Sequence, residues 1–261
     1  MHVVVCVKQV PDPEIPPRDF AIDPSTRRPV AGRAALVMST FDEIALEVAL
    51  RLRDAGPGVR VSAVTVGPAS AEEVLRRALA MQADAAVRVE VPDLDPLDPV
   101  QTAAALADAV ERLSPVDVVL CGRQAADTDA GQVGLLLAEM LGWPAVPQVI
   151  LAHRAAEGRL RVEREAEDGT EVVEVELPAV LTATNAEANL PRIPKVRDVM
   201  AAHRKPIQVL TPSLAAELRQ WAVLGDLYVP TRESRCRMVE GDSPEAKVDA
   251  LLRELRQLRV L

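Results

Sequence analysis

Over the first 145 residues, short apolar runs alternate with segments whose apolar residues recur at helical spacing. The runs are rich in valine and alanine and almost uninterrupted, which is typical of parallel strands covered on both faces. Strands are predicted at residues 3–7, 59–66, 85–89 and 116–121. This alternation indicates right-handed βαβ units, and therefore a doubly wound α/β fold with a mostly parallel sheet.

Four helices are predicted among these strands, because each candidate segment carries a start or stop signal. Two start signals have the form of a capping box, namely Thr40 with Glu43 and Ser70 with Glu73. A third helix begins at Asp98, followed by Pro99 at the first helical position and Gln101 at the third. The fourth spans about residues 130–141, is apolar on almost every side and ends at Gly142.

The pattern changes after Trp143. Residues 146–152, 159–165 and 171–177 alternate apolar and polar side chains, so we predict an antiparallel meander over about 146–177. Another core strand is predicted at 178–184, and a last amphipathic helix begins at Ser243-Pro244. Residues 185–240 show little periodicity. We therefore divide the chain into an α/β domain, 1–184, and a C-terminal arm, 185–261, that wraps onto another molecule.

Composition narrows the functional classes. Apolar residues make up 49% of the 261, enough for a core, and the net charge of −9 argues against a nucleic-acid or anionic-membrane surface. Cys6, Cys121 and Cys236 form no CxxC pair, which suits a reducing compartment. No run approaches the ~18–20 apolar residues that cross a bilayer, and the N-terminus begins directly in a strand rather than a signal peptide. We expect a cytoplasmic protein that binds no nucleic acid and does not insert into membranes.

Candidate ligand-binding residues follow the predicted strands, because open parallel sheets bind ligands beyond the carboxyl ends of their strands. The strand at 116–121 continues through a loop of small residues into the fourth helix, and such a loop lets backbone amides approach a phosphate. Its small residues are Gly122, Ala125, Ala126, Ala130, Gly131 and Gly134. Lys8 is either a phosphate or carboxylate ligand or a surface lysine. Asp127 and Asp129 either accept ribose hydroxyls or are solvated loop acids.

Motifs of common nucleotide-dependent and hydrolytic enzymes are absent from the sequence. There is no GxxxxGK[ST] loop, no GxGxxG after the first strand and no GxSxG elbow. The three histidines, at positions 2, 153 and 203, have no metal-ligand spacing. We therefore expect neither a metal site nor catalytic residues, and a bound cofactor must supply any reactivity.

Residues 191–205 form a basic segment in an acidic chain. A solvated face would explain the charges alone. However, apolar side chains are interleaved with them at Ile193, Val196, Val199 and Met200. This mixture favours a docking surface.

Several short motifs follow one another along the chain. They are Val5-Cys-Val-Lys-Gln-Val10 with Pro11-Asp12, Phe41-Asp-Glu-Ile-Ala45, Val64-Thr-Val-Gly-Pro-Ala69, Ala78-Leu-Ala-Met81, Cys121-Gly-Arg-Gln-Ala125, Gln132-Val-Gly134, Val162-Glu-Arg-Glu165, Leu177-Pro-Ala-Val180 and Leu190-Pro-Arg192. In this order and spacing they resemble the beta subunits of electron transfer flavoproteins. No single motif is decisive, but the ordered set is specific and covers about residues 2–205.

The resemblance implies a Rossmann-like adenine nucleotide-binding fold within a heterodimer. An alpha subunit would hold most of an FAD, and the heterodimer would carry electrons from acyl-CoA dehydrogenases or similar flavoenzymes to an acceptor. NADH-dependent bifurcation would belong only to the heterodimer, not to this chain. The implied cofactor-binding residues, for AMP or a second FAD, are Cys6, Lys8, Ser39, Val66, Gly122, Arg123, Gln124, Ala125, Asp127, Thr128, Asp129, Gln132, Val133 and Gly134. The implied partner-docking residues are Arg192, Lys195, Val196, Arg197, Val199 and Met200, with Val196 as the apolar anchor.

Departures from the family pattern bear on the nucleotide. Ser39-Thr40 stands where the family usually has Asn-Pro, next to the expected site. The Gln132-Val133-Gly134 motif resembles the bifurcating branch, which houses a second FAD. By contrast, Thr128 replaces a glycine and narrows the loop. AMP and FAD both remain open on these residues.

Two other classes of protein use a similar sheet. One is an adenine-nucleotide-dependent ligase, and the other is an ATP-binding regulatory protein. Both need a glycine-rich phosphate loop, and residues 8–12, which follow the first strand, contain no glycine. The sequence therefore disfavours both.

Overall fold

A computed structural model describes residues 1–16, 18–25, 28–30, 35–91, 98–213, 222, 225, 227–229 and 236–261. The chain forms two compact units, Met1–Leu227 and Tyr228–Leu261. The first contains a large sheet with helices on both faces. The predicted boundary at residue 184 lies inside this first unit.

The nine-stranded sheet is the centre of the first unit. In chain order the strands of the described residues are β1 (His2–Cys6), β2 (Gln9–Pro11), β3 (Ile22–Asp23), β4 (Arg28–Pro29), β5 (Leu36–Met38), β6 (Arg60–Gly67), β7 (Ala85–Glu90), β8 (Val118–Gly122), β9 (Ala145–Arg154), β10 (Arg159–Ala166), β11 (Gly169–Glu176), β12 (Ala179–Ala183) and β13 (Gln208–Leu210). The sheet has the order β11-β10-β9-β12-β8-β1-β6-β7-β13. Each strand pairs in parallel with its neighbour along the part of the sheet that runs β9-β12-β8-β1-β6-β7-β13. By contrast, β10 pairs antiparallel with both β9 and β11. Two further antiparallel pairs are β2 with β5 and β3 with β4.

The four strands predicted from apolar runs are β1, β6, β7 and β8, and each lies within two residues of its predicted bounds. Successive residues of β1 contribute to different core layers. Val3 and Val5 belong to one apolar cluster, and Val4 and Cys6 to the other. A strand buried on both faces has no polar alternation, which explains its continuous apolar run.

Helices cover both faces of the sheet. In the first unit they are α1 (Thr40–Asp54), α2 (Glu72–Ala80), α3 (Pro99–Arg112), α4 (Val133–Leu141) and α5 (Val196–Ala202). The second unit contains α6 (Pro244–Gln257). The apolar faces of α1 and α2 join the core layer of Val3, whereas those of α3 and α4 join the layer of Val4. The doubly wound α/β fold is confirmed.

The predicted helix ends are partly confirmed. Asp98 Oδ1 accepts the amide N–H of Gln101 (2.9 Å), and Gly142 closes α4 with φ of 66°. The two capping boxes are wrong. Ser39, not Thr40, precedes α1, and its hydroxyl accepts the amide of Ala126 instead of capping the helix.

The Ser70 box fails because residues Ala69–Ala71 form a 3₁₀ turn ahead of α2, with no side-chain cap. Helix α4 starts three residues later than predicted. Asp129 and Gly131 have φ of 50° and 63°, which an α-helix does not allow.

The predicted meander is present as β9, β10 and β11, and it forms an antiparallel extension of the main sheet beyond β12. The register of β9 shifts against both neighbours, and Gln148 in this strand has φ of 59°. Such a bulge bends the strand and increases its local twist.

Residues 185–213 contain two elements that the sequence pattern did not predict, α5 and β13. Strand β13 pairs in parallel with β7 at the edge of the sheet. It has three residues, of which only Leu210 is buried, so it carries no period-2 signal. In the second unit, α6 begins at the predicted Ser243-Pro244, and Ser243 Oγ accepts the amide of Ala246 (3.2 Å).

Candidate functional site

A cavity of about 380 Å³ lies at the carboxyl ends of β1, β6 and β8, between the N-termini of α3 and α4. This is where a parallel sheet places its ligands. Twelve of the residues implied at the nucleotide site line it, namely Cys6, Lys8, Val66, Gly122, Arg123, Gln124, Ala125, Asp127, Thr128, Gln132, Val133 and Gly134. The structure therefore gathers residues from distant parts of the sequence into one place.

Ser39 and Asp129 do not line the cavity. The Ser39 hydroxyl accepts the Ala126 amide (3.3 Å) and its own amide donates to the Lys8 carbonyl (3.0 Å). Asp129 Oδ1 accepts a hydrogen bond from Gln124 Nε2 (2.8 Å). Both side chains hold the loop after β8 in its conformation.

Asp42, in the first turn of α1, braces the cavity floor. Its Oδ2 accepts the Lys8 amide (2.8 Å) and its Oδ1 accepts the Gly122 amide (3.1 Å), so one carboxyl group joins the ends of β1 and β8. Burial raises the pKa of Asp42 to about 7, although these hydrogen bonds oppose the shift. Sequence reasoning missed Asp42, because an acid in the first helical turn usually serves only the helix dipole.

Two glycines permit the close packing of this floor. A Cβ on Gly122 would lie 2.5 Å from Asp42 Oδ1 and 2.8 Å from the backbone carbon of Phe41. A Cβ on Gly134 would lie 2.6 Å from Thr182 Cγ2. Both distances are shorter than van der Waals contact, so any larger residue would displace the brace or α4.

Lys8 and Asp127 pair with each other at the cavity wall. Lys8 Nζ donates to both carboxylate oxygens of Asp127 at 2.8 Å. The lysine side chain is half-exposed, so the pair adds little to stability. Both charges nevertheless lie on the lining, where a bound phosphate could exchange places with the carboxylate.

Arg123 has a buried donor that no group satisfies. Its guanidinium lies over the ring of Phe41, 4.8 Å from the centroid, and Nη1 donates to Thr184 Oγ1 (3.2 Å). Within the described part of the chain, Arg123 Nε is buried without an acceptor. A buried donor without a partner costs stability, and Nε has no accessible surface toward the cavity.

The two helix N-termini at the cavity differ in their caps. The Asp98 carboxylate caps α3 and also accepts the amide of Ala222 (2.9 Å). Among the described residues, no side chain caps α4, whose N-cap residue is Gln132. The first-turn amides of α4 are therefore available to an anion. Sequence reasoning recognised Asp98 as a cap, but it had no means of placing α3 beside this loop.

Cys6 and Cys121 lie side by side at the cavity floor, one residue beyond the register pair Val5–Leu120. The hydrogen bond with Cys121, together with burial, raises the pKa of the Cys6 thiol well above its usual range. Both thiols are free, and Cys6 is held in its neutral form. Both side chains contribute apolar packing to the cavity floor.

The second cluster of implied residues lies at positions 191–200, which we call the docking segment. Ile193 is 89% exposed and Val196 77% exposed, and Met200, Lys195 and Arg197 are also exposed. Val199 is exposed to a smaller extent. Arg192 differs, because its guanidinium is bound to Glu47 of α1. The segment includes α5, so it is in part helical rather than a loop.

Neither a membrane span nor a metal site occurs in the part of the chain that the structure describes. No helix there combines the length and the apolar composition needed to cross a bilayer. Among the same residues, no group of three or more His, Cys, Asp or Glu side chains is arranged to hold a metal ion.

Comparison with known proteins identifies the family. The sequence profile of the electron transfer flavoprotein domain matches residues 30–215. The electron transfer flavoprotein subunit beta of Megasphaera elsdenii is 33% identical over 278 aligned positions that cover both chains completely. The human electron transfer flavoprotein subunit beta is 39% identical over 81% of this chain and 82% of its own length. The caffeyl-CoA reductase-Etf complex subunit CarD of Acetobacterium woodii is 38% identical over 80% of this chain and 78% of its own. This chain therefore belongs to the electron transfer flavoprotein family as a beta subunit, and its role is electron transfer.

Proposed function

We propose that this chain holds one adenine nucleotide in the strand-end cavity and completes an FAD site that lies mostly on an alpha subunit. In the same proposal, the docking segment receives flavoenzymes of the acyl-CoA dehydrogenase type. The observation that carries the nucleotide site is a single strand-end cavity that is lined by the uncapped N-terminus of α4 together with residues of β1, β6 and β8.

The residues present fit an adenosine phosphate. Uncapped amides at the start of α4 suit a phosphate, and the close packing that Gly122 and Gly134 allow holds the ends of β8 and α4 together at the cavity floor. The remainder of the lining is mainly aliphatic and takes an adenine ring without charge, as at Val66 and Leu106. A flavin supplies the electron chemistry when it is bound, whereas the side chains of this chain bind and orient.

Of the two nucleotides, we propose AMP as the occupant. The cavity volume of about 380 Å³ is near the low end for ligand pockets, and FAD has more than twice as many non-hydrogen atoms as AMP. Thr128, which lines the cavity, also takes more space than the glycine of the family pattern. The Gln132-Val133-Gly134 motif points instead to FAD, so the occupant has to be measured.

The test is nucleotide stoichiometry. The purified heterodimer is denatured, and the released nucleotides are separated and counted. We expect one FAD and one AMP per heterodimer. Two FAD and no AMP would replace AMP by FAD in the same cavity, and one FAD without a second nucleotide would reject the cavity as a nucleotide site.

A pair of variants assigns the second nucleotide to the cavity. Arg123→Met removes the positive charge of a residue that lines the cavity, and we expect it to lower the affinity for the second nucleotide about tenfold or more, since hydrogen bonds from charged groups are worth roughly 1.5–3 kcal/mol. Arg161→Met is the matched control, because Arg161 is exposed on β10 and lies outside the cavity lining. Equal nucleotide retention in the two variants would contradict the assignment.

The second unit supports an alpha-subunit contact. No residue of α6 is buried, and its apolar stripe exposes Val248, Leu251 and Leu258. A helix with an uncovered apolar stripe normally packs on a partner. We propose that this unit packs on the alpha subunit, and Leu251→Asp is expected to weaken heterodimer formation in size-exclusion chromatography, whereas Asp249→Asn is not.

The name of one relative bears on the electron-transfer partner. CarD is named as a subunit of a caffeyl-CoA reductase complex, which supports an enzyme of CoA esters as the protein that docks here. The identity of that enzyme and of the acceptor, and the cytoplasmic location, stay predictions. A ligase or an ATP-binding regulatory protein is not favoured by the family.

A further inference from the structure

The docking segment is exposed in its middle but fixed at both ends. On the N-terminal side, buried Asn189 donates from Nδ2 to the carbonyls of Thr184 (2.8 Å) and Ile150 (2.9 Å). On the C-terminal side, Arg76 of α2 donates to the carbonyls of Ala202 (2.9 Å) and Lys205 (2.5 Å). The exposed apolar residues therefore project from a short bridge between two anchored ends.

Glu47 provides the central attachment. It is 3% exposed, and its Oε2 accepts both the backbone amide (3.1 Å) and Nε (2.8 Å) of Arg192. Its Oε1 accepts Arg192 Nη2 (3.2 Å) and Arg51 Nε (2.9 Å). Asp54 also pairs with Arg192 Nη2 (2.9 Å). One residue immediately before the exposed stretch is thus held by side chain and backbone together.

Stability alone does not account for this arrangement. A buried ion pair is often no better for stability than apolar residues of the same volume, because both charges lose their hydration. What the pair supplies is direction, since a bidentate arginine on a helix carboxylate fixes the position of the chain that carries it. Ile193 and Val196 follow within four residues, so the same contact also restricts their positions.

We propose that Glu47 and Arg192 are a positioning pair for partner docking, which holds the docking segment in its binding conformation before the partner arrives. This proposal rests on the proposed function of the segment. Preorganisation matters here because each side chain or loop that a partner must immobilise costs binding free energy. In this proposal Arg192 acts through the exposed residues rather than by touching the partner.

The test uses the heterodimer and its electron-donating acyl-CoA dehydrogenase, with flavin reduction followed against dehydrogenase concentration. We expect Glu47→Gln and Arg192→Met each to raise KM for the dehydrogenase about fivefold, with kcat at saturation unchanged. The double variant should match the single variants, because residues of one network are not additive. Arg192→Lys should recover part of the loss.

Asp108→Asn is the matched control. Asp108 is a nearly buried acid of α3 that pairs with Arg112 on the opposite face of the sheet (3.4 Å). If it raises KM as much as the Glu47 variant, or if the Glu47 and Arg192 variants lower only the unfolding temperature and leave KM unchanged, the positioning role is wrong. A wild-type heterodimer that no acyl-CoA dehydrogenase reduces would instead reject the proposed function.

Amide hydrogen exchange separates loosening from unfolding. In the Arg192→Met heterodimer, we expect exchange at residues 190–200 to accelerate while β1 and β8 keep their protection. Acceleration in both regions would indicate global destabilisation and overturn the proposal.

Discussion

Helix α1 carries two buried carboxyl groups in opposite electrostatic surroundings. Asp42, at the cavity, accepts its hydrogen bonds from the backbone amides of Lys8 and Gly122, and burial raises its pKa to about 7. Glu47, at the base of the docking segment, is equally buried. Burial also raises the pKa of Glu47, but hydrogen bonds from Arg192 and Arg51 outweigh it, and the pKa lies below its usual value.

The difference between the surroundings of the two acids suits the role that we propose for each region. Amides brace Asp42 without supplying a full positive charge, so near neutral pH this acid is partly protonated and repels an anionic ligand less than a full carboxylate would. Two guanidinium groups keep Glu47 ionised, which the fixed geometry of the docking segment requires. The same helix thus supports an enclosed site at one carboxyl group and an exposed surface at the other.

The largest expected effect is an opposite pH dependence of stability at the two acids. The folded pKa of Asp42 is raised, so its contribution is fully present below about pH 4 and is lost as pH rises to about 7, a change on the order of 4 kcal/mol. The folded pKa of Glu47 is lowered, so its contribution is present above its usual pKa and is lost as pH falls.

Urea unfolding of the wild type, Asp42→Asn and Glu47→Gln between pH 3.5 and 8 (roughly the range that both titrations span) measures both slopes. Subtracting each variant from the wild type cancels the other titrating groups. The free energy of unfolding of the wild type minus that of Asp42→Asn should fall as pH rises. The corresponding difference for Glu47→Gln should increase as pH rises from the acidic end. Two slopes of the same sign would contradict the distinction between the two acids.

The next largest effect tests the brace by sterics alone. Gly122→Ala places a methyl group 2.5 Å from Asp42 Oδ1, and we expect it to lower the free energy of unfolding by about 2–3 kcal/mol. Gly56→Ala is the control, because nothing lies within 4 Å of that site, and a shift below about 0.5 kcal/mol is expected. Thermal unfolding measures both, and equal shifts would show that the space around Gly122 is not limiting.

The smallest effect concerns the docking segment. We expect Val196→Asp to reduce electron transfer from the dehydrogenase at limiting concentration by about tenfold, and Val196→Ala by less, because truncating an apolar anchor costs roughly 1–2 kcal/mol. Val172→Asp is the control, an exposed valine on the edge strand β11. Heterodimer yield and flavin content should stay constant throughout. Unchanged rates for both Val196 variants would show that Val196 is not an anchor for the dehydrogenase.

The sequence predicts best where one local rule decides the structure. The strands β1, β6, β7 and β8 carry continuous apolar runs, and Asp98 and Ser243 cap their helices as their sequence context indicates. The capping boxes at Thr40 and Ser70 were wrong for different reasons. Ser39 rather than Thr40 precedes α1, and its hydroxyl bonds to a loop 87 residues away, whereas Ser70 lies in the 3₁₀ turn ahead of α2.

Within the site, the place of the loop after β8 on the cavity lining was predictable, since an open parallel sheet forms its cavities beyond the carboxyl ends of its strands. Asp42 and Arg192 were not predictable in their observed roles, because both depend on partners far along the chain, Gly122 and Glu47. Helix α5 was hidden by its apolar residues, which are exposed rather than arranged toward a core. Hydrophobic periodicity detects side chains that are buried in a core, whereas the apolar side chains of a docking surface are exposed.

Asp42 and Glu47 are five residues apart, which places them about 7.5 Å apart along the axis of α1 and about 140° apart around it. A single rigid turn and a half therefore joins the strand-end cavity to the docking segment. On the proposed function, we expect a nucleotide that moves Glu47 through α1 to change the affinity for the electron-transfer partner, and reciprocity requires the partner to change nucleotide affinity by the same factor. A nucleotide that leaves α1 in place gives a factor of one in both directions, so a single pair of binding titrations measures how stiffly this helix connects its two sites.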